Sequence, residues 1–297
     1  MKAIDGEKSH ANGKELRHCD FVCGWGAGCI ETCILYPSYK IIFRQQLHNL
    51  LTIEAWKQIR SEGIGKLYRG LLPPLIMRTS SRALMFGLYD EFCHKMKCSS
   101  ESSLTLCHVK AAMLAGACEA LLCPFERVQV LLQTSAYHET FRNTSEAVKA
   151  VRPHGFFEFY RGMSTVVFRN SLSNALFFTL REPCRELVLS SKARDEYSRS
   201  TLNSVIPFMA DFAAGGVLGA SISTIFFPVN VVKNRMQSQL GVPFENPVKI
   251  FSTVWRERNG SLKELFRGVQ LNFTRSLLAW GITNSVYELL RKHLECS

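Results

Sequence analysis

Two short patterns occur three times each, in the same order, along the 297-residue chain. The first starts with proline and reaches glutamine nine residues later: Pro37-Ser-Tyr-Lys-Ile-Ile-Phe-Arg-Gln-Gln46, Pro124-Phe-Glu-Arg-Val-Gln-Val-Leu-Leu-Gln133 and Pro228-Val-Asn-Val-Val-Lys-Asn-Arg-Met-Gln237. The second is an aromatic-Arg-Gly triplet, Tyr68-Arg69-Gly70, Tyr160-Arg161-Gly162 and Phe266-Arg267-Gly268, whose arginine lies 32 to 39 residues after the proline. The prolines are 87 and 104 residues apart and the glycines 92 and 106. Ordered recurrence at this period marks one supersecondary unit used three times. Proline removes a helical hydrogen bond and crowds the preceding turn, so each unit reads as a helix kinked or broken at Pro37, Pro124 or Pro228, a connecting segment, and a second helix after the glycine. The boundaries drawn are a polar tail over 1–18 and repeats over 19–98, 104–190 and 204–294.

Apolar stretches of membrane-spanning length fall at about 20–46, 75–93, 106–133, 164–181, 206–238 and 271–290. A mean hydropathy of +0.01 would by itself suggest a soluble protein. Helices that face lipid on one side and a watery path on the other are amphipathic, however, so a low average is compatible with a polar-centred bundle. Shorter amphipathic stretches, Ile53 to Ser61, Thr144 to Val151 and Pro247 to Arg258, fit helices lying along the membrane surface. Small residues at Gly24, Gly26 and Gly28, Ala115 to Ala117, and Gly215, Gly216 and Gly219 allow close helix approach. The fold class expected is all-α.

The net charge of +11 favours anionic partners. The basic residues recur with the repeat, which fits anionic lipid better than nucleic acid. The N-terminal stretch has no apolar region of the kind a cleaved secretory signal needs. Eleven cysteines are spread through the chain and read as mostly reduced; Cys19, Cys23, Cys29 and Cys33 read as small packing residues rather than zinc ligands. There is no nucleophile with a paired base, no dinucleotide fingerprint after a strand and no H-E-x-x-H, so neither catalysis, a metal nor a cofactor is expected.

Charges inside apolar spans are costly and point to function. Arg78, Arg169 and Arg275 lie 8, 7 and 7 residues after their repeat's glycine, about two helical turns in and at a common depth. Guanidinium forks bind phosphate oxygens bidentately, so three of them suit a pyrophosphate. Each could instead pair with Glu31 or Glu119. Glu119 could balance charge, accept ribose hydroxyls or face a cationic ring. Arg82 is a further charge in the second span, Phe86, Phe177 and Trp280 could stack on a base, and Asn174 and Asn284 could bond to a ring edge.

The proline-to-glutamine pattern and its triplets resemble the mitochondrial carrier family along essentially the whole chain. The resemblance implies six transmembrane helices in three helix pairs with pseudo-three-fold symmetry, short amphipathic helices on the matrix side, and a central site opening alternately to the two faces of the inner mitochondrial membrane. It also implies a monomer, and cardiolipin phosphate at the helix ends marked by Gly70, Gly162 and Gly268. Longer strings, among them Phe43-Arg-Gln-Gln-Leu47, Ala83-Leu-Met-Phe-Gly-Leu-Tyr89, Glu126-Arg-Val-Gln129, Phe168-Arg-Asn-Ser-Leu-Ser-Asn174 and Ser276-Leu-Leu-Ala-Trp-Gly281, look like the branch that carries NAD. That implies NAD as substrate at Arg78, Glu119, Arg169 and Arg275. Coenzyme A, another nucleotide, or a non-transporting scaffold on the same fold are the alternatives.

In the family the acid two after proline pairs with the base five after the next repeat's proline, closing the matrix side. Here those positions are Tyr39 with Gln129, Glu126 with Lys233, and Asn230 with Ile42, so one ion pair of three is expected, with Gln46, Gln133 and Gln237 at the bracing positions. A loosened matrix gate follows. On the opposite side the aromatic-acid-x-x-base pattern is complete only at Tyr287, Glu288 and Arg291; Tyr89 and Asp90 are followed by Cys93 where the base belongs, and the middle repeat has Leu180-Arg181.

Overall fold

The computed structural model describes residues 2–63, 67–68, 70–98, 106–137, 140–141, 143–188 and 205–293. Among them the regular structure is helical throughout. The long elements are α1 (Lys2–His48), α3 (Leu72–Lys95), α4 (Leu106–Glu119) continued by α5 (Cys123–Gln133), α7 (Met163–Val188), α8 (Val205–Ile225) continued by α9 (Phe227–Gln237), and α12 (Val269–His293). Between them lie α2 (Thr52–Ser61), α6 (Thr144–Val151), α10 (Pro247–Glu257) and the single turn α11 (Leu262–Leu265). Helix α1 runs back through the polar stretch that the sequence reads as a tail.

The three prolines behave unequally. At Pro124 a 3₁₀ turn over Ala120–Leu122 separates α4 from α5, and at Pro228 α8 and α9 bend by 60° around Phe226. At Pro37 the helix continues without interruption, a departure from the kink or break the motif suggests. Loss of one amide donor costs a helix a single hydrogen bond, and a helix packed on both flanks can absorb it.

Contacts between the long elements run from α1 to α3, α3 to α4, α4 to α7, α7 to α8, α8 to α12 and back to α1, closing a ring. The tightest crossing explains one glycine. A Cβ on Gly116 of α4 would lie 2.5 Å from the carbonyl oxygen of Asn170 on α7, so the two backbones meet where no side chain fits. Gly70, Gly162 and Gly268 have φ of +82°, +80° and +95°, conformations that a Cβ disfavours, and each lies within two residues of the start of a long helix.

The three surface helices are built alike. Each buries an i, i+4 pair, Ala55 and Ile59 on α2, Ala147 and Val151 on α6, Ile250 and Val254 on α10. Side chains satisfy their first amides: Glu54 accepts from the Leu51 amide at 2.8 Å, Asn143 from Glu146 at 2.9 Å and Asn246 from Val248 at 3.0 Å. They pack onto apolar clusters at the proline-side end, one around Phe227, Val231 and Ile42, another around Leu131, Leu132 and Phe141.

The distribution of polarity is inverted relative to a water-soluble domain. Ile34, Leu72, Leu121, Phe168, Val217, Ile225, Leu278 and Leu289 are exposed on the outside of the long helices, while Glu31, Lys40, Arg44, Arg127 and Arg275 are buried. Exposed apolar surface of this extent calls for an apolar environment. Among the described residues, only Leu106–Gln133, and the bent pair Gly215–Ile225 with Phe227–Gln237, are both long and apolar enough to pass as spans on hydropathy alone. The other long helices carry cavity-facing charges that lower their averages.

Candidate functional site

The ring encloses a cavity of about 750 Å³. It falls within the ~300–1,000 Å³ of small-molecule sites. Its wall includes all four side chains singled out for substrate, Arg78, Glu119, Arg169 and Arg275, together with Glu31, Glu126 and Lys233. Arginines 91 and 106 positions apart in the chain thus face one space, because each sits two turns beyond its repeat's glycine.

Their surroundings differ. Arg78 donates to both carboxylate oxygens of Glu31, at 2.9 and 2.7 Å, so the alternative of an internal ion pair applies to this arginine. Arg275, 9% exposed, donates to Asn272 at 3.3 Å and Ser276 at 2.9 Å and also to the hydroxyl of Tyr39. Arg169 donates to the side chain of neighbouring Asn170 at 3.1 Å, and its buried Nε has no partner. Among the described residues no carboxylate lies within ion-pair distance of Arg169. Glu119 accepts from Ser81 and, at 3.5 Å, from Asn174.

Tyr39 was missed as a site residue. Its ring lies beneath two cations at once, with the Arg78 guanidinium 4.3 Å and the Arg275 guanidinium 4.0 Å from the ring centre. An aromatic face attracts cations through its quadrupole. The available signal was positional: Tyr39 stands two residues after Pro37, where the family pattern has an acid, so a π face substitutes for a carboxylate.

At the proline-side end of the cavity Lys233 and Glu126 pair at 3.4 Å, both nearly buried. The three glutamines do not brace this pair by hydrogen bonds, as their positions suggested. Gln133 donates to the Tyr36 hydroxyl at 3.2 Å, Gln46 accepts from Asn234, and Gln237, fully buried, donates to Cys123 Sγ at 3.5 Å. They tie neighbouring helices together around the pair, and Glu126 Oε2 is left without a hydrogen bond. The other two family pairs are replaced rather than vacant. Tyr39 serves the arginines, and Ile42, 4% exposed, belongs to the apolar cluster around Phe227. Apolar packing at Ile42 and cation–π attraction at Tyr39 thus occupy two of the positions where the family pattern has charges.

Sequence reasoning also missed a second layer of buried charge. Glu158 accepts from Arg127 at 2.7 Å and from Arg161 at 2.8 and 2.9 Å, and all three are at most 3% exposed. Arg44 pairs with Glu62 at 2.8 Å and Arg235 with Glu257 at 3.0 Å. These anchor the connecting segments to the proline-bearing helices. Among the aromatics, Phe86 lines the cavity and meets Phe177 edge-on, whereas Phe177 packs toward Leu218 and Ile222. The side chains of Arg82, Trp280, Asn284, Tyr287, Glu288 and Arg291, and all of Arg69, lie outside the described residues.

The mitochondrial carrier protein family matches the chain three times, over residues 17–100, 102–192 and 204–297. The "Mitochondrial nicotinamide adenine dinucleotide transporter SLC25A51" of Mus musculus is 46% identical over 94% of this chain and 90% of its own length. The corresponding transporter SLC25A52 of Homo sapiens is 42% identical over the same shares. "Solute carrier family 25 member 53" of Homo sapiens is 30% identical over 97% of this chain and 96% of its own.

Proposed function

The chain belongs to the mitochondrial carrier family, and from that premise we propose that it imports NAD into the mitochondrial matrix by alternating access, as a multi-pass protein of the inner membrane. The observation that carries the substrate is the charge of the cavity. Arg78, Arg169, Arg275 and Lys233 face Glu31, Glu119 and Glu126, leaving one formal positive charge in excess. NAD offers two phosphate charges and one cationic ring, a net charge of minus one in an elongated molecule that a space of this size accommodates. Names borne by relatives 42–46% identical to this chain agree with that reading.

On this reading Arg169 is the first contact for the pyrophosphate, since it needs no internal pair to be broken. Arg78 and Arg275 follow by turning from the Tyr39 ring, and Glu119, presented by Ser81 and Asn174, meets ribose hydroxyls or the nicotinamide cation. The ring of helices consists of six spans in three pseudo-symmetric pairs, with repeats over 19–98, 104–190 and 204–294 and the prolines at the matrix side. Glu126 and Lys233, with Gln46, Gln133 and Gln237 around them, form the matrix gate. Cardiolipin phosphates dock on the amides that follow Gly70, Gly162 and Gly268, where the positive φ turns the chain into the helix start. A monomer suffices, because one chain closes the ring.

Uptake of labelled NAD into liposomes holding the purified protein tests the substrate. Alanine at Arg169, Arg275 or Glu119 is expected to reduce uptake at least tenfold. Thermal stabilisation by NAD, but not by coenzyme A or inorganic phosphate at equal concentration, checks specificity, since only a ligand that binds the folded state raises stability. Full uptake after all three substitutions, or stabilisation by coenzyme A alone, would overturn the assignment.

A further inference from the structure

The end of the ring opposite the Glu126–Lys233 pair holds a cluster of sulfur and imidazole that the transport reading does not use. Helix α3 ends there in a left-handed cap. Lys97 has φ of +52°, the Lys97 amide donates to the His94 carbonyl at 3.2 Å, and the Cys98 amide donates to the Cys93 carbonyl at 3.0 Å. This paired pattern brings the side chain beyond the cap against the one three residues inside it. In most helices that contact is apolar; here the two residues are Cys93 and Cys98. The first turn of helix α4 carries Cys107 and His108, and Cys98 is joined to Cys107 by a disulfide. This bond is an exception to the expectation of mostly reduced cysteines, since the seven others among the described residues are free. The Cys93 and Cys98 sulfurs and a His108 ring nitrogen lie within 4.8 Å of one another, all partly exposed.

We propose that, with the disulfide reduced, Cys93, Cys98, Cys107 and His108 form a tetrahedral site for Zn²⁺. A zinc tetrahedron with bonds of ~2.3 Å to sulfur and ~2.0 Å to nitrogen has edges of roughly 3.5–3.8 Å. The observed spread therefore needs a contraction of about 1 Å, within reach of side-chain rotation at two helix ends. Cys107 joins the set once it is freed from Cys98, since bonded sulfurs stand too close for both to bind the metal. The imidazole has an aromatic neighbour: Tyr89, one turn before Cys93, lies 6.4 Å from the His108 ring and is itself stacked on Phe178 at 3.7 Å. Three thiolates and one neutral imidazole around Zn²⁺ carry a net charge of minus one, next to exposed Lys97. The disulfide and the metal exclude each other, and either one ties α3 to α4 at this end. The cluster escaped notice in the sequence because its ligands are brought together by a helix cap and an interhelical contact.

The chemistry balances with a trialkylphosphine as reductant. The phosphine attacks one sulfur, breaks the Cys98–Cys107 bond and takes oxygen from water to become phosphine oxide, leaving two thiols. Zn²⁺ then displaces protons from three thiols into the buffer. The test uses the full chain in detergent, stripped of metal, reduced, freed of phosphine and titrated with Co²⁺ as a spectroscopic probe. Thiol counting by maleimide mass shift precedes the titration. One equivalent of Co²⁺ is expected to give thiolate charge-transfer absorption that Zn²⁺ abolishes, while the unreduced protein gives none. Cys93→Ser and His108→Ala should each weaken binding at least tenfold, and Cys29→Ser with Cys33→Ser should leave it unchanged. His108→Ala removes no thiol and keeps the test valid if a cysteine variant fails to fold. A reduced protein without the absorption, absorption that survives both ligand variants or is lost with Cys29 and Cys33, or a disulfide that resists the phosphine would each overturn the proposal.

Discussion

Removing either member of the Glu126–Lys233 pair perturbs the proposed gate most directly. The charges stand 3.4 Å apart and are each about 11% exposed by side chain. At an effective dielectric constant near 20, their attraction is about 5 kcal/mol before desolvation. Desolvation cancels much of that while both charges are present. Removing one partner instead leaves the other buried without compensation, at a cost of about 3–5 kcal/mol. The cost is greatest for Lys233→Met, because Glu126 Oε2 already lacks a hydrogen-bond partner. If closure of this end rests on the pair, a cost of about 3 kcal/mol lowers the closed population roughly a hundredfold. Thermal unfolding of the purified protein reports it. At ~2 °C per kcal/mol for a chain of this size, Lys233→Met should unfold on the order of 6–10 °C lower. The swapped double variant Glu126→Lys with Lys233→Glu should recover more than half of the loss, since it restores opposite charges at the same separation. Single variants within about 1 °C of the parent, or a swap that merely adds the two losses, would show that the pair is not coupled.

Three further outcomes are expected. Gly116→Ala places a methyl group 2.5 Å from the Asn170 carbonyl, so the α4–α7 crossing must open; a loss of about 1–3 kcal/mol should appear as a lower unfolding temperature. Glu158→Gln leaves Arg127 and Arg161 buried without their shared carboxylate and should cost about 3–5 kcal/mol, whereas Glu62→Gln, at a pair whose acid is 19% exposed, should cost less in the same thermal assay. His48, at the end of α1 outside the proposed spans, is held below the ordinary histidine pKa by burial and by the Arg44 and Arg235 charges. The unfolded chain then binds the proton more readily, so stability is complete above about pH 6.5 and falls as pH drops below it. Thermal scans from pH 7.5 to 5.5 should show this slope, and His48→Gln should flatten it.

How much of this was legible in advance follows from what repeats. The prolines, the triplet glycines and the arginines two turns beyond them gave element order and the shared depth of Arg78, Arg169 and Arg275, because each is set by local spacing. The surface helices α2, α6 and α10 were legible for the same reason, from their apolar periodicity. Contacts between distant segments were not legible. Nothing near Glu158 in the sequence indicates that Arg127 shares it, and Tyr39 becomes a platform for two cations only when α3 and α12 close on α1. Ile42 reads as a lost base in a motif, yet in space it is a core residue, so converting it to lysine would bury a charge instead of restoring a pair. The uninterrupted helix at Pro37 makes the same point. The motif specifies a missing donor, and the neighbouring helices decide whether the chain bends there.

The one excess positive charge in the cavity also bears on energetics across the bilayer. With NAD bound as proposed, the formal charge of the cavity cancels, so membrane voltage would exert no net force on that charge as the loaded protein reorients. The empty cavity keeps its charge, and moving one elementary charge through the full field is worth about 2.3 kcal/mol per 100 mV. Polarisation negative inside would therefore draw the unloaded site toward the matrix and oppose its return. Turnover would then be limited by resetting the vacant protein, and a second anion bound on the matrix side would speed that reset by cancelling the charge.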